Sequence, residues 1–136
     1  MIIPLLTATL FNLNLTPLYR AIAQVESDRG ATSKNIYQLR TIFIDDVNRI
    51  TGHNPQYKLD SRYDQIDSET MMWYYWRHYG ARYEKLTGKP VTYEVLARMH
   101  NGGPDGWKKD STLVYWSRVK KAMEESKHDN AKGKRG

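Results

Sequence analysis

The sequence predicts a mainly α-helical fold of five or so helices, with at most a minimal β element. Three observations predict it. Apolar residues recur at three- and four-residue spacing in successive segments, the period of one helix face. Those segments tend to open on Thr, Ser or Asp and to close on glycine, as helix ends do. No stretch alternates polar and apolar residues over a convincing strand length, and there is no internal repeat.

Met1 to Leu15 (MIIPLLTATLFNLNL) is apolar but lacks a basic start and a small-residue cleavage site, and Pro4 and Asn12 interrupt it. It reads as part of the fold rather than as a cleaved signal. Thr16-Pro17 opens the first helix, with Thr as N-cap and proline at the first helical position. That helix runs to about Ser27, with Leu18, Ile22 and Val25 on one face and Gly30 as its stop. A polar connector, Ala31 to Asn35, leads to a second helix from about Tyr37 to Thr51. Its buried stripe is Leu39, Ile42, Phe43, Val47 and Ile50. Any short sheet would lie near Gly30 to Ile36 or in the irregular stretch His53 to Ile66.

Asp67-Ser68-Glu69 opens a third helix, with Met71, Met72, Tyr75, Trp76, Tyr79, Tyr83 and Leu86 inward and Gly88 after it. Pro90 and Thr92 set up a short helix from Tyr93 to His100, ending in His100-Asn101-Gly102-Gly103-Pro104. A last helix covers about Ser111 to Lys121, with Tyr115, Val119 and Met123 at helical spacing. Residues 1–125 are read as a single domain and 126–136 as a charged, flexible tail.

The 136 residues carry a formal charge of +6, and the pI near 9.5 points to an anionic partner. Nucleic acid, an anionic wall polymer and a membrane surface all qualify. The basic residues Lys108-Lys109, Lys120-Lys121 and Lys132 to Arg135 are scattered and interleaved with Glu124, Glu125 and Asp129, which argues against nucleic acid. Ten Tyr and four Trp against two Phe supply rings suited to the edges of clefts. The absence of cysteine excludes disulfides, thiolate metal sites and a Cys nucleophile. The four histidines have no metal-ligand spacing, so neither metal nor cofactor is expected. No segment approaches the roughly 18 apolar residues of a membrane span, so no insertion is expected, and the chain reads as a monomer.

Two features carry chemistry. At about 100° per residue, Glu26 lies within roughly 40° of Ile22 and 80° of Leu18, so it borders the apolar face of its helix. It also sits in the last turn, where the helix dipole disfavours negative charge. Burial and dipole both raise a carboxyl pKa, which prepares a general acid. Taken alone, such a glutamate is more often a snorkelling or lysine-paired side chain. The second feature is His100 to Pro104. It makes a good helix stop, and it equally makes a bare backbone beside an amide, suited to holding a sugar or a base.

The order Val25-Glu26-Ser27, Tyr37-Gln38-Leu39, Asn101-Gly102-Gly103 resembles the lysozyme superfamily. The similarity is greatest to invertebrate-type and phage lysozymes, and extends more distantly to lytic transglycosylases and goose-type lysozymes. Ala97 to Gly106 and Thr112 to Val119 look like the invertebrate-type pattern, and Ile44 to Ile50 is similar to a segment of bacterial and phage relatives. The likeness covers roughly residues 16–122. It implies a lysozyme-like α+β fold around a sugar-binding cleft. It also implies a bacteriolytic muramidase cleaving the β-1,4 bond between N-acetylmuramic acid and N-acetylglucosamine in peptidoglycan, with Glu26 as general acid. Ser27, Tyr37, Gln38, His100, Asn101, Gly102, Gly103 and Tyr115 are the implied substrate-binding residues. Tyr115 and Trp116 would stack on sugars or simply pack the last helix. Chitin-like polymers share the acetamido sugar and are a further candidate substrate. A small, basic, cysteine-free chain without a clear export signal suits a phage endolysin or virion lysozyme acting on the bacterial wall from the host cytoplasm or the virion. A bacterial enzyme exported by an unusual route is equally compatible.

The chain departs from that pattern at the second carboxylate. Invertebrate-type lysozymes place an Asp in a hairpin between the catalytic Glu and the Tyr-Gln step. Here Ser27 to Ile36 is too short for one, and Asn35 or Ile36 replaces the usual glycine. Asp28, two residues from Glu26, faces another side of the helix. Asp45 and Asp46 are the other candidates. Asp46 falls inside an apolar stripe and needs a partner such as Arg98, Arg49 or backbone amides. Thr32 and Ser33 would instead position a water, with no second carboxylate. A single acid also fits a lytic transglycosylase forming 1,6-anhydro-muramyl ends. The alternative of another class is a non-catalytic basic protein that binds wall polymer or nucleic acid.

Overall fold

A computed structural model describes residues 12–135, with side chains to residue 130. Most of the apolar stretch from Met1 to Leu15 lies outside the described residues. Among those described there are five α-helices and no strand. They are α1 (Thr16–Ser27), α2 (Thr41–Ile50), α3 (Gln65–Thr87), α4 (Tyr93–Gly102) and α5 (Leu113–Arg135), with short 3-10 turns at Leu59–Tyr63, Gly106–Lys108 and Asp110–Thr112. Neither stretch read as a possible sheet forms one.

Helix α1 has Pro17 in its first turn, but Leu15 is the N-cap and no side chain caps the helix. At its other end Asp28 and Arg29 both take left-handed backbone angles. The turn is held by Asp28 N–H to Gln24 O (3.1 Å) and Arg29 N–H to Ala23 O (3.0 Å), the usual way of satisfying a helix's last carbonyls. The Ser27 hydroxyl donates to Ile36 O (2.6 Å) and accepts from Gly30 N–H (2.9 Å), folding residues 30–36 beneath the helix end.

The second helix starts at Thr41 rather than Tyr37, and Asn35 is the reason. Its side chain accepts from Leu39 N–H (2.9 Å) and donates to Leu39 O (3.0 Å), offering the backbone a local alternative to helix. The clamped segment puts Gln38 at φ +53° and turns Tyr37 inward, 1% exposed. The face of α2 is also rotated from the predicted stripe. Ile44, Val47 and Asn48 are buried, whereas Ile42 is 74% exposed.

Asp64 caps α3 by accepting from Asp67 N–H (2.8 Å), so the helix begins two residues before the predicted start. Met71, Met72, Tyr75, Trp76, Tyr79 and Tyr83 point inward as their spacing predicts, but Leu86 is exposed. The Trp76 indole donates to Leu96 O (3.0 Å), tying α3 to α4, and Tyr19 stacks on it with ring centroids 5.5 Å apart. Thr92 caps α4 by accepting from Val95 N–H.

Helix α5 continues to Arg135, well beyond the predicted end at Lys121. Val119 and Met123 anchor its first half, and the segment after them carries Lys and Glu and is free of proline. Helix α1 packs along α5, α4 contacts α1, α3 and α5, and α2 lies on α3.

Candidate active site

The loop before α2 and the C-terminal end of α4 face each other across two adjoining cavities. The smaller, about 350 Å³, is lined by Glu26, Asn35, Arg40, Arg62 and others. The larger, about 740 Å³, runs along α2, with Ile42, Phe43, Asp45, Asp46, Tyr75 and the Gly102 to Pro104 loop in its walls. Gln38, Leu39, Arg40, His100 and Asn101 border both, so the two form one continuous cleft.

Glu26 is half-buried at the end of α1. Burial pushes its carboxyl above the usual glutamate range, against the smaller opposing effects of the Tyr115 hydroxyl and the Arg40 charge. Tyr115 is 8% exposed and its hydroxyl is close enough to influence the carboxyl, though the pair does not meet ordinary hydrogen-bond geometry. Tyr115→Phe keeps the ring and removes the hydroxyl. We expect it to raise the Glu26 pKa further, moving the alkaline limb of any Glu26-dependent activity to higher pH. A pH–rate profile of the two proteins checks this; a limb that stays put or moves down sinks the coupling.

His100 belongs to the frame of the cleft. Its Nε2 bonds to Tyr37 O (2.9 Å), and its ring packs against Phe43 and Tyr115. Nδ1 is shut from solvent without a partner, and burial lowers the histidine pKa to about 4. The neutral ring is therefore the native form. The stabilisation is complete above about pH 6.5, where folded and unfolded states are both neutral. It is lost as pH falls toward 4, because the unfolded chain takes up a proton that the folded one refuses. The loss is up to about 3 kcal/mol. Denaturant unfolding between pH 7 and 4 should show this slope in the native protein and a shallower one in His100→Gln.

The structure gathers some predicted site residues and disperses others. Gln38, His100, Asn101, Gly102 and Gly103 line the cleft with Glu26. Ser27 is buried beneath it as a backbone pin, and Tyr37 is buried with its hydroxyl donating to Glu69 and its carbonyl fixing His100. Asp28 points away, accepting from Gln24 Nε2 (2.8 Å). Thr32 and Ser33 line neither cavity. Asp46 lies in the wall of the larger cavity, held by Arg49 (2.6 Å) and the Tyr79 hydroxyl. Arg49 is one of the partners its position in the stripe requires. Sequence reasoning missed Arg40 and Arg62, which flank Glu26. Arg40 stands directly after the Tyr-Gln-Leu step and was within reach of that reading; nothing in the spacing pointed to Arg62.

No family model matches the sequence, and no solved structure matches the fold. Individual relatives do match. A lysozyme of Meretrix lusoria is 51% identical over 45 residues, 33% of this chain and 37% of that protein. A lysozyme of Magallana gigas is 49% identical over 43 residues, 32% of this chain and 31% of that protein. The matched segment thus spans only about a third of these two relatives. The invertebrate-type lysozyme 6 of Caenorhabditis elegans is 32% identical over 100 residues, 68% of this chain and 69% of that protein. A match of that extent, across a helical fold with a glutamate in its cleft, places the chain: it belongs to the lysozyme-like family that includes the invertebrate-type lysozymes.

Proposed function

We propose that the protein is a muramidase that cleaves the β-1,4 bond between N-acetylmuramic acid and N-acetylglucosamine in peptidoglycan. The observation that carries this reading is Glu26, a half-buried carboxyl with a raised pKa in the smaller of two adjoining cavities that together are large enough for a glycan. A strand lying along the cleft meets an apolar wall of Ile42, Phe43, Tyr75 and Pro104, suited to sugar faces. Gln38 and Asn101 bring side-chain amides to both cavities, suited to acetamido and hydroxyl groups.

Protonated Glu26 gives its proton to the glycosidic oxygen as the bond to C1 breaks, and positive charge develops on the sugar ring. The carboxylate left behind faces the Arg40 charge and the Tyr115 hydroxyl, both of which favour its ionised form. Water then adds to C1 and passes its proton to the Glu26 carboxylate, which restores the acid. The +6 charge favours encounter with an anionic wall polymer. The cysteine-free composition supports folding in a reducing compartment, and a phage endolysin or virion lysozyme is the origin we infer.

One observation favours a second reading. Among the described residues lining the smaller cavity, Glu26 is the one carboxylate, and Asp45 and Asp46 lie along the larger one. A single acid suits a lytic transglycosylase, in which the muramyl 6-hydroxyl closes on C1 in place of water. Mass spectrometry of fragments released from purified sacculi decides between them. Hydrolysis leaves reducing ends, whereas the transglycosylase leaves ends lighter by one water. Intact sacculi would point to a wall-binding protein without catalysis.

A further inference from the structure

We propose that Arg40 and Arg62 form a carboxylate-recognition site beside Glu26, which takes the acidic substituent of a muramyl sugar and seats the adjoining glycosidic bond against the acid. The inference rests on the muramidase reading and gives that reading a specificity device. Both arginines line the 350 Å³ cavity together with Glu26. Neither is neutralised. Among the described residues, the Arg40 side chain makes no hydrogen bond or ion pair, and its charge acts on Glu26 and His100. Arg62 is half-buried and held in place without a counter-ion. Its Nη1 donates to Leu39 O (3.3 Å), its Nη2 to the Tyr63 hydroxyl (3.2 Å), and the group lies over the Tyr63 ring, 5.2 Å from the centroid.

Arg62 Nε is buried with no partner, a donor whose desolvation nothing on the protein offsets. Arg49, Arg82 and Arg98 each meet a carboxylate, on Asp46, Asp105 and Glu94. Arg20, Arg29, Arg77 and Arg118 also lack one but are exposed, whereas Arg40 and Arg62 share one cavity with Glu26. Two unpaired arginines in one partly enclosed cavity therefore mark a place for an external anion. The two guanidinium charges exceed what the single carboxylate of Glu26 can offset in either of its protonation states, which leaves room for an added anion. A neutral acetamido sugar would leave both charges unmatched. The sugar that carries a carboxylate next to a β-1,4 bond in peptidoglycan is the muramyl residue, through its lactyl group or the peptide attached to it.

The test measures kcat/KM on peptide-free glycan strands with free lactyl carboxylates and on the same strands with those groups converted to neutral methyl amides. The native protein should prefer the charged strands by about tenfold. The ratio should fall to near one in Arg40→Gln and Arg62→Gln and be partly kept in Arg40→Lys. Arg40 is exposed, so its substitution leaves packing untouched, which thermal melting checks. A preference that emerges only on strands bearing ionised stem peptides supports the site and assigns the carboxylate to the peptide. Equal rates on every charged and neutral pair, or a ratio that both glutamine variants retain, overturn the inference. If the native protein cuts nothing, the muramidase reading fails and binding decides the site separately. Tighter binding of N-acetylmuramic acid than of its methyl amide, lost in Arg40→Gln, sustains it; equal binding overturns it.

Discussion

Glu26→Gln should reduce lysis of purified sacculi by roughly 10²- to 10⁴-fold, the contribution of a positioned general acid, with no loss of folded structure. Glutamine matches the shape of the acid but has no proton to give. The Glu26 carboxyl closes no ordinary hydrogen bond whose loss would unfold the helix end; Ser27 and the left-handed pair Asp28-Arg29 hold that turn. The stability consequence has a definite sign. A carboxyl whose pKa is raised on folding stabilises the native state below its unfolded pKa, and that contribution is lost as pH rises through the folded value. The variant lacks this dependence, so it should match or exceed the native protein in stability at neutral pH. Activity follows the same titration: it declines as pH rises through a midpoint above the ordinary glutamate range. Turbidity loss of sacculi suspensions across pH, with melting curves of both proteins, tests all of this. Undiminished lysis by a folded Glu26→Gln removes Glu26 from the mechanism.

The helices and their inward faces were legible because burial imposes a period on the sequence. Leu18 and Ile22, the run from Met71 to Tyr83, and Tyr115 with Val119 and Met123 are where that period puts them. Misplaced boundaries came from side chains competing for backbone groups. Asn35 takes both polar groups of Leu39, so Tyr37 to Leu39 leave the helix that their pattern suggests. The same clamp explains why Tyr37 sits under the cleft instead of in it. Ile42 was misread because a cleft wall accepts an exposed apolar residue that a core stripe would not. For the candidate site, Glu26, Gln38 and Asn101 were readable as local motifs. Arg62 was not, since it joins the Glu26 cavity only after the 53–66 segment folds back, with Asn48 clamping Tyr57 (2.8 and 2.9 Å) and Arg62 bonding Leu39 O.

The wall of the cleft opposite α2 depends on one glycine, and Gly106→Ala is expected to destabilise the protein by about 3 kcal/mol or more, lowering Tm by roughly 10 °C. The strap after α4 lies flat on that helix. A Cβ at Gly106 would stand 2.1 Å from Arg98 O and 3.3 Å from Met99 Cα. Both are backbone atoms of α4, so no side chain can swing aside to make room. The strap is fastened on either side of that contact. Gly106 N–H donates to Gly103 O (2.8 Å), the Thr112 hydroxyl donates to Gly106 O (2.7 Å), and buried Arg98 reaches Thr112 Oγ1 (2.8 Å) and Lys109 O (3.0 Å). Lifting the strap by the ångström or more that a methyl group demands breaks this set together. It also shifts Gly102 to Pro104 in the cleft wall. Gly88→Ala is the proper comparison. Gly88 has φ +70° but open space around its Cβ direction, so alanine there meets backbone strain alone, about 1 kcal/mol. Thermal melting of the two variants against the native protein separates close approach from conformational strain. A Gly106→Ala protein that melts at or above the Gly88→Ala temperature would refute the role given to the strap, and with it the account of how the end of α4 from Asn101 to Gly103 is held.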